Sequence, residues 1–207
     1  MPIAKEGIPF IAVPALLMIL FAAFAFWIVA AAFLLLTLFM LYFFRDPERT
    51  IPAGSDIIVS PADGRVTRVQ PVAPGNPDSA TVVSIFLSPL DVHINRSPIA
   101  GNVTDVTYTR GKFLIATSEK ASLMNEQNAL TIKGDRIEVV CKQIAGIVAR
   151  RIVCWKQPGD TVELGQRIGL IEFSSRTDLI LPSNVSVMVR EGARVKGGLS
   201  IIGRIHN

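Results

Sequence analysis

The sequence predicts a mainly β domain behind an N-terminal transmembrane helical hairpin. Three observations predict it. A long uncharged apolar run lies near the N-terminus, short β-branched segments alternate with Gly/Pro turns from Arg49 onward, and the turn phrases repeat.

The apolar run comes first. The 207-residue chain is 50% hydrophobic, and the excess is concentrated between Gly7 and Phe44, where no charged residue occurs. As a single helix these 38 residues would span roughly 57 Å, about twice the hydrocarbon core of a bilayer. Two short helices near 10–26 and 29–44, joined by a turn around Trp27, fit better than one tilted helix. A cleaved signal peptide fits poorly, because the run is too long and lacks a clear cleavage site. The expected division is a membrane anchor over 1–44 and a β-rich domain over 45–207. Arg45 and Arg49 flank the exit and favour the cytoplasmic face of the cell membrane for that domain.

Charge and cysteines narrow the classes. The net charge is +4, and Lys5 cancels Glu6, so the excess lies beyond residue 44. A modestly basic domain suits an anionic lipid bilayer. No Lys/Arg run reads as a nucleic-acid arm, so no nucleic-acid partner is expected. Cys141 and Cys154 have no CxxC or Cys/His ligand spacing, so no metal site is expected; two buried, reduced thiols are.

The β segments read as 56–60, 81–87, 136–142, 147–155, 167–173 and 185–190, with one helix over 118–129. Pro61-Ala62-Asp63-Gly64-Arg65-Val66 is echoed by Pro98-Ile99-Ala100-Gly101-Asn102-Val103 and by Gln143-Ile144-Ala145-Gly146-Ile147-Val148. Gln157-Pro158-Gly159-Asp160 through Leu164-Gly165 is echoed by Glu191-Gly192-Ala193-Arg194 through Gly197-Gly198. This grammar resembles the barrel-sandwich hybrids of biotinyl and lipoyl carrier domains. A membrane-tethered binding module of that kind is therefore an alternative, although no turn tip carries the modifiable lysine such carriers present.

An ordered set of motifs points elsewhere. It comprises Phe43-Phe44-Arg45-Asp46-Pro47-Glu48-Arg49, Ser60-Pro61-Ala62-Asp63-Gly64, Leu87-Ser88-Pro89-Leu90-Asp91-Val92-His93-Ile94-Asn95-Arg96, Gly111-Lys112-Phe113, Asn125-Glu126-Gln127-Asn128-Ala129-Leu130, Ala149-Arg150-Arg151-Ile152-Val153 and Phe173-Ser174-Ser175-Arg176-Thr177-Asp178. In that order it resembles the short-form phosphatidylserine decarboxylases of bacteria and archaea. The resemblance implies a proenzyme that cuts itself between Ser174 and Ser175 and converts Ser175 into a covalent pyruvoyl group. It implies a phosphatidylserine substrate, or its archaeal ether analogue (archaetidylserine). That substrate is decarboxylated to the ethanolamine lipid through a Schiff base, and the two fragments persist as a heterodimer. It leaves a homo-oligomer open.

The site residues follow from the same resemblance. His93 matches a histidine linked to decarboxylation, and its pKa range suits proton transfer near neutrality. Asp63 matches an aspartate that assists self-cleavage in longer members. Those members carry a second histidine where this chain has Arg96. Lys112 and Arg150 are candidates for the lipid phosphate or the substrate carboxylate. The family normally has glycine before the cleavage serine, and this chain has Ser174; a paralogue that no longer matures is the second alternative.

Overall fold

A computed structural model describes residues 2–76, 78–115, 121–147, 151–173 and 175–206. It divides at Glu48/Arg49 into two compact units.

The first unit is helical. A 3-10 turn (Lys5–Gly7) leads into α1 (Ile8–Ala23), and α2 (Trp27–Phe43) follows after a short turn. Ala25 holds that turn with φ of 59°. The two helices pack along their length, with Phe21 stacked on Phe33 at 5.6 Å between ring centroids. Their outer ends meet, because Ala4 N donates to Phe44 O (2.9 Å) and Asp46 N to Pro2 O (2.9 Å). Most large apolar side chains of both helices face outward. Lys5–Ala23 is long and apolar enough to cross a bilayer, and Trp27–Phe43 is apolar but shorter.

The second unit is mainly β. Its strands are β1 (Ile57–Val59), β2 (Gly64–Pro71), β3 (Thr81–Leu87), β4 (Ile94–Arg96), β5 (Gly101–Thr109), β6 (Gln127–Lys133) and β7 (Glu138–Ala145), with α3 (Ala121–Met124) between β5 and β6. There follow β8 (Arg151–Cys154), β9 (Thr161–Val162), β10 (Arg167–Glu172), β11 (Ser175–Leu181), β12 (Val185–Val187), β13 (Arg194–Val195) and β14 (Ile201–Ile205). One sheet runs β13-β2-β3-β11-β7-β6-β5-β9, and two small sheets run β1-β14-β12 and β4-β10-β8. One core spans them. It includes Ile58 and Ile202 from the first small sheet, Ile168 from the second, and Ile85, Leu130, Cys141 and Leu179 from the large one. Their alternation in strand and burial is that of a sheet with one face turned to the core.

The sequence echo is a structural one. Ser60 Oγ donates to Ala62 O at 2.7 Å, and Ser97 Oγ donates to Ile99 O at 2.6 Å. The two turns also bond each other reciprocally, Val59 N to Pro98 O and Arg96 N to Pro61 O. Each takes a second bond from a left-handed glycine of the longer repeated phrase, Gly198 N to Ser60 O and Gly165 N to Ser97 O. These paired turns match the barrel-sandwich expectation.

Two expectations are corrected. The helix expected over 118–129 is confined, among the described residues, to Ala121–Met124, and Gln127–Lys133 is a strand. Asn128, Leu130 and Ile132 alternate inward there between β5 and β7, so tertiary pairing overrides the helix formers nearby. Cys141 is buried and Cys154 only half-buried; both are free thiols. Strands β2, β4, β5, β9, β11, β13 and β14 are additions to the expected set.

Candidate active site

Ser175 is the first residue of β11, the strand at the centre of the large sheet. It pairs with Leu87 of β3 and with Ala145 of β7. Only residues 173 and 174 separate it from β10, which belongs to a different sheet, so the chain changes sheets there. Phe173 makes the change with φ of 56°. A bulky side chain in the left-handed region costs of order 1–3 kcal/mol. Ser174 and Arg150 lie outside the described residues.

Ser175 is fully buried. Its Oγ has no hydrogen-bond partner among the described residues. A buried hydroxyl without a partner costs about 1–3 kcal/mol, so such atoms are rare and concentrate at functional sites.

Alternation along β11 sends Ser175, Thr177 and Leu179 to the core face and Arg176 and Asp178 to the opposite face. On the core face a buried polar chain starts at Thr177. Asn95 Nδ2 donates to Thr177 Oγ1 (2.9 Å), Gln143 Nε2 to Asn95 Oδ1 (3.0 Å), and Asn128 Nδ2 to Gln143 Oε1 (3.2 Å). Gly169 makes room for it, since a Cβ there would lie 2.9 Å from Gln143 Nε2 and 2.2 Å from Val153 O.

His93 stands two residues before Asn95, directly ahead of β4. Its carbonyl accepts from Ile171 N (3.3 Å), which extends the β4–β10 pairing toward the 173–174 connection. Stepping back two residues from both ends of the Asn95–Thr177 bond leads to His93 and Ser175. His93 is buried, and its Nδ1 lies 3.0 Å from Asp91 O. A carbonyl only accepts, so Nδ1 carries the proton and Nε2 is the basic nitrogen of the neutral ring. Asp91 is itself fixed, accepting at Oδ2 from Ser88 N (2.8 Å) and Ser88 Oγ (2.7 Å) and at Oδ1 from Arg194 (3.0 Å). Ser88 directly follows Leu87, the cross-strand partner of Ser175.

Asp63 is placed differently. It directly precedes β2, on the far side of β3 from Ser175. Arg49 donates to its two oxygens at 2.6 and 2.8 Å, and Gly197 N donates to Oδ1 at 2.8 Å. The neighbouring Gly64 has φ of 148°, and a Cβ there would lie 2.1 Å from Phe86 O. The Asp-Gly pair thus fixes the start of β2 against β3. Arg96 is buried and donates to Gly165 O at 3.0 Å, which holds the repeated turn. Lys112 is exposed beside α3, with its backbone bonded to Met124 and Glu126.

The other face of β11 carries residues the sequence reading passed over. Arg176 Nε and Asp178 Oδ1 form an ion pair at 2.9 Å, both side chains almost wholly buried. Ser122 of α3 accepts from Arg176 and from Arg68 (3.1 Å) and donates to Asp178 Oδ2 (3.1 Å). Burial lowers the Arg176 pKa against the opposing pull of Asp178. Alternate charges in Arg176-Thr177-Asp178 were the available signal for this pair. Glu172, the last residue of β10, is likewise a buried carboxylate the sequence reading did not single out.

Residues 36–203 match the phosphatidylserine decarboxylase family model. The chain belongs to the phosphatidylserine decarboxylase family. It is 50% identical to a phosphatidylserine decarboxylase proenzyme of Solibacter usitatus, over 88% of this chain and 89% of that one. It is 43% identical to one of Desulfotalea psychrophila (99% and 97%) and 47% identical to one of Symbiobacterium thermophilum (98% and 95%). The chain is a decarboxylase of the phosphatidylserine type. No group of three or more His, Cys, Asp and Glu side chains among the described residues is arranged to hold a metal.

Proposed function

We propose that this decarboxylase matures by cutting its own backbone between Ser174 and Ser175, and that Ser175 becomes the pyruvoyl group on which phosphatidylserine is decarboxylated. The observation that carries the reading is the buried Ser175 Oγ, without a hydrogen-bond partner among the described residues, two positions after the left-handed Phe173.

Cleavage needs Ser175 Oγ to lose its proton and attack the carbonyl carbon of residue 174. The C–N bond breaks as the C–O bond forms, giving an ester and a free amine at 175. Removal of the Cα proton then expels the carboxylate, leaving residue 174 as a new C-terminus and dehydroalanine at 175. Tautomerisation and hydrolysis release ammonia and leave a ketone. The unpartnered Oγ fits this conversion, because no protein hydrogen bond among the described residues is lost when the hydroxyl is consumed.

When present, the pyruvoyl group supplies a ketone that condenses with the substrate amine and takes up the electron pair left as carbon dioxide departs. His93 is assigned the proton transfers, with Nδ1 anchored on Asp91 O and Nε2 as the acid–base atom. Asp63 acts on cleavage as a proton acceptor only in a proenzyme whose Arg49 pair opens; closed, it is a positioning residue. Lys112 and Arg150 are assigned to the headgroup's phosphate or carboxylate. The chemistry is confined to the phosphoserine head, so the archaeal ether lipid is an equivalent substrate for these residues.

The two products are assigned to a lasting heterodimer. β11 lies between β3 and β7, β13 pairs β2, and β14 pairs β1, so the 175–207 piece is woven into the sheets of the larger one. The helical pair is assigned as a membrane anchor, with Arg45 and Arg49 on the cytoplasmic side.

Mass spectrometry of the purified chain tests the reading. Wild type is expected as two pieces, the smaller blocked to N-terminal sequencing. Ser175→Ala is expected as one intact chain that releases no carbon dioxide from phosphatidylserine. An intact, inactive wild type overturns it.

A further inference from the structure

Strand register places the C-terminal ends of β3, β5, β7 and β10 and the N-terminal ends of β2, β6, β8 and β11 at one end of the β unit. This is the end at which Ser175 opens β11. The connections there are rich in exposed large apolar side chains: Leu90 after β3, Phe113 and Ile115 after β5, Leu123 and Met124 on α3, and Ile147 after β7. Leu123 is 84% and Ile115 60% exposed. Val72, after β2, lies at the opposite end, and single exposures of that kind need no explanation. Convergence of apolar side chains from three separate connections does.

Charge at the same end has one sign outward. Arg65, Arg110, Lys112 and Arg151 are exposed there. The nearby acids are engaged, Asp91 with Ser88 and Arg194, and Glu126 with Tyr108. Apolar side chains ringed by cations are the pattern of a surface that enters the interfacial layer of an anionic leaflet. A soluble protein partner would not explain why these side chains gather at the end of the β unit where Ser175, the proposed reacting residue, is fully buried.

We infer that this rim, above all Ile115 and Leu123, docks the β unit on an anionic lipid leaflet. A phospholipid headgroup then passes down to residue 175 while its acyl chains stay in the bilayer. The inference rests on the assignment of Ser175 as the reacting position. The helical anchor tethers the chain; the rim orients the site.

The test uses the full chain in vesicles of phosphatidylglycerol and phosphatidylserine, with Cys154→Ser to leave only the buried Cys141. A fluorophore is placed at Leu123→Cys, Ile115→Cys or, as reference, Val72→Cys. Rim probes are expected to be quenched by lipid-borne nitroxide and protected from iodide, with a lipid-to-iodide ratio several-fold above that at Val72. Ratios equal to that at Val72 overturn the inference. Protection from both quenchers that grows with the protein-to-lipid ratio also overturns it, in favour of a contact between copies. In parallel, Leu123→Asp with Ile115→Asp is expected to raise KM for vesicle phosphatidylserine several-fold and leave kcat on a water-soluble short-chain analogue unchanged. Fragment analysis of the same samples reads self-cleavage separately. Failure of the Ser175 assignment appears there, while failure of the rim appears in the quenching.

Discussion

Asn95 Nδ2 donates to Thr177 Oγ1 over 2.9 Å, and both side chains are fully buried. This bond ties β4 to β11 one alternation step from His93 and Ser175. It therefore sets how far apart the proposed base and nucleophile sit. Thr177→Val keeps the shape and removes the acceptor. We expect it to slow the appearance of two fragments about tenfold, the effect of roughly 1.4 kcal/mol of misplacement. Asn95→Ala also takes away the shorter of the two acceptors of Gln143 Nε2 and should cost about 1–3 kcal/mol of stability. A gel time course after synthesis and a thermal melt check the two effects. Unchanged cleavage in Thr177→Val removes the positioning role.

The left-handed Phe173 yields a second expectation. Glycine adopts positive φ at little cost, so Phe173→Gly relaxes the connection. If conformational strain drives the cut, the uncleaved chain should persist longer in this variant. Cleavage as fast as wild type would show that strain at 173 contributes nothing.

This position illustrates what the sequence conveyed. Ser174 stands where the family normally has glycine, the residue that adopts positive φ at little cost. The demand visible among the described residues is at 173, and nothing in the letters Phe-Ser-Ser marks which residue turns. The strand at 81–87 was legible because Val, Ile and Phe run between turn residues. Strand β6 was not, because Gln, Asn, Ala and Leu are as common in helices, and only pairing on both sides decides. His93 and Ser175 were legible by motif. The Asn95–Thr177 and Asn95–Gln143 bonds beside them join residues 82 and 48 positions apart in sequence, which no local pattern records.

Asp178 is almost wholly buried beside Arg176 and within 3.8 Å of Arg68. Asp178→Asn leaves two guanidinium groups without their carboxylate. A broken buried pair typically costs about 3–5 kcal/mol. We expect a clear loss in chemical denaturation of the full chain in detergent. Because Arg176 follows Ser175 directly, any fragments formed should also show lower kcat. A variant as stable as wild type would make the cluster dispensable.

Burial pushes the Cys141 thiol up to about 12, with Cys154 and Asp178 adding to it. The folded state therefore keeps its proton where the unfolded thiol, near 9, has lost it. The contribution is complete below pH 9 and is lost as pH rises from there through the folded value. The slope is at most about 1.4 kcal/mol per pH unit. Cys141→Ala should remove that part of the alkaline decline, at the cost of a small cavity. Parallel stability curves for the two proteins above pH 9 would count against the shift.

His93 gives the sharpest separation between maturation and turnover. Its Nδ1 faces Asp91 O at 3.0 Å, so Nε2 is the nitrogen assigned to proton exchange with the reacting carbon. His93→Gln keeps a hydrogen-bonding side chain but cannot take or give a proton near neutral pH. General acid–base groups contribute about 10²–10⁴ in rate. Carbon dioxide release from matured His93→Gln should fall by at least the lower figure, with KM little changed. If cleavage also stops, His93 serves both reactions. If cleavage proceeds and only decarboxylation fails, another group takes the Ser175 proton, with buried Glu172, three residues before Ser175, as the candidate. Full turnover by the variant would remove His93 from the mechanism.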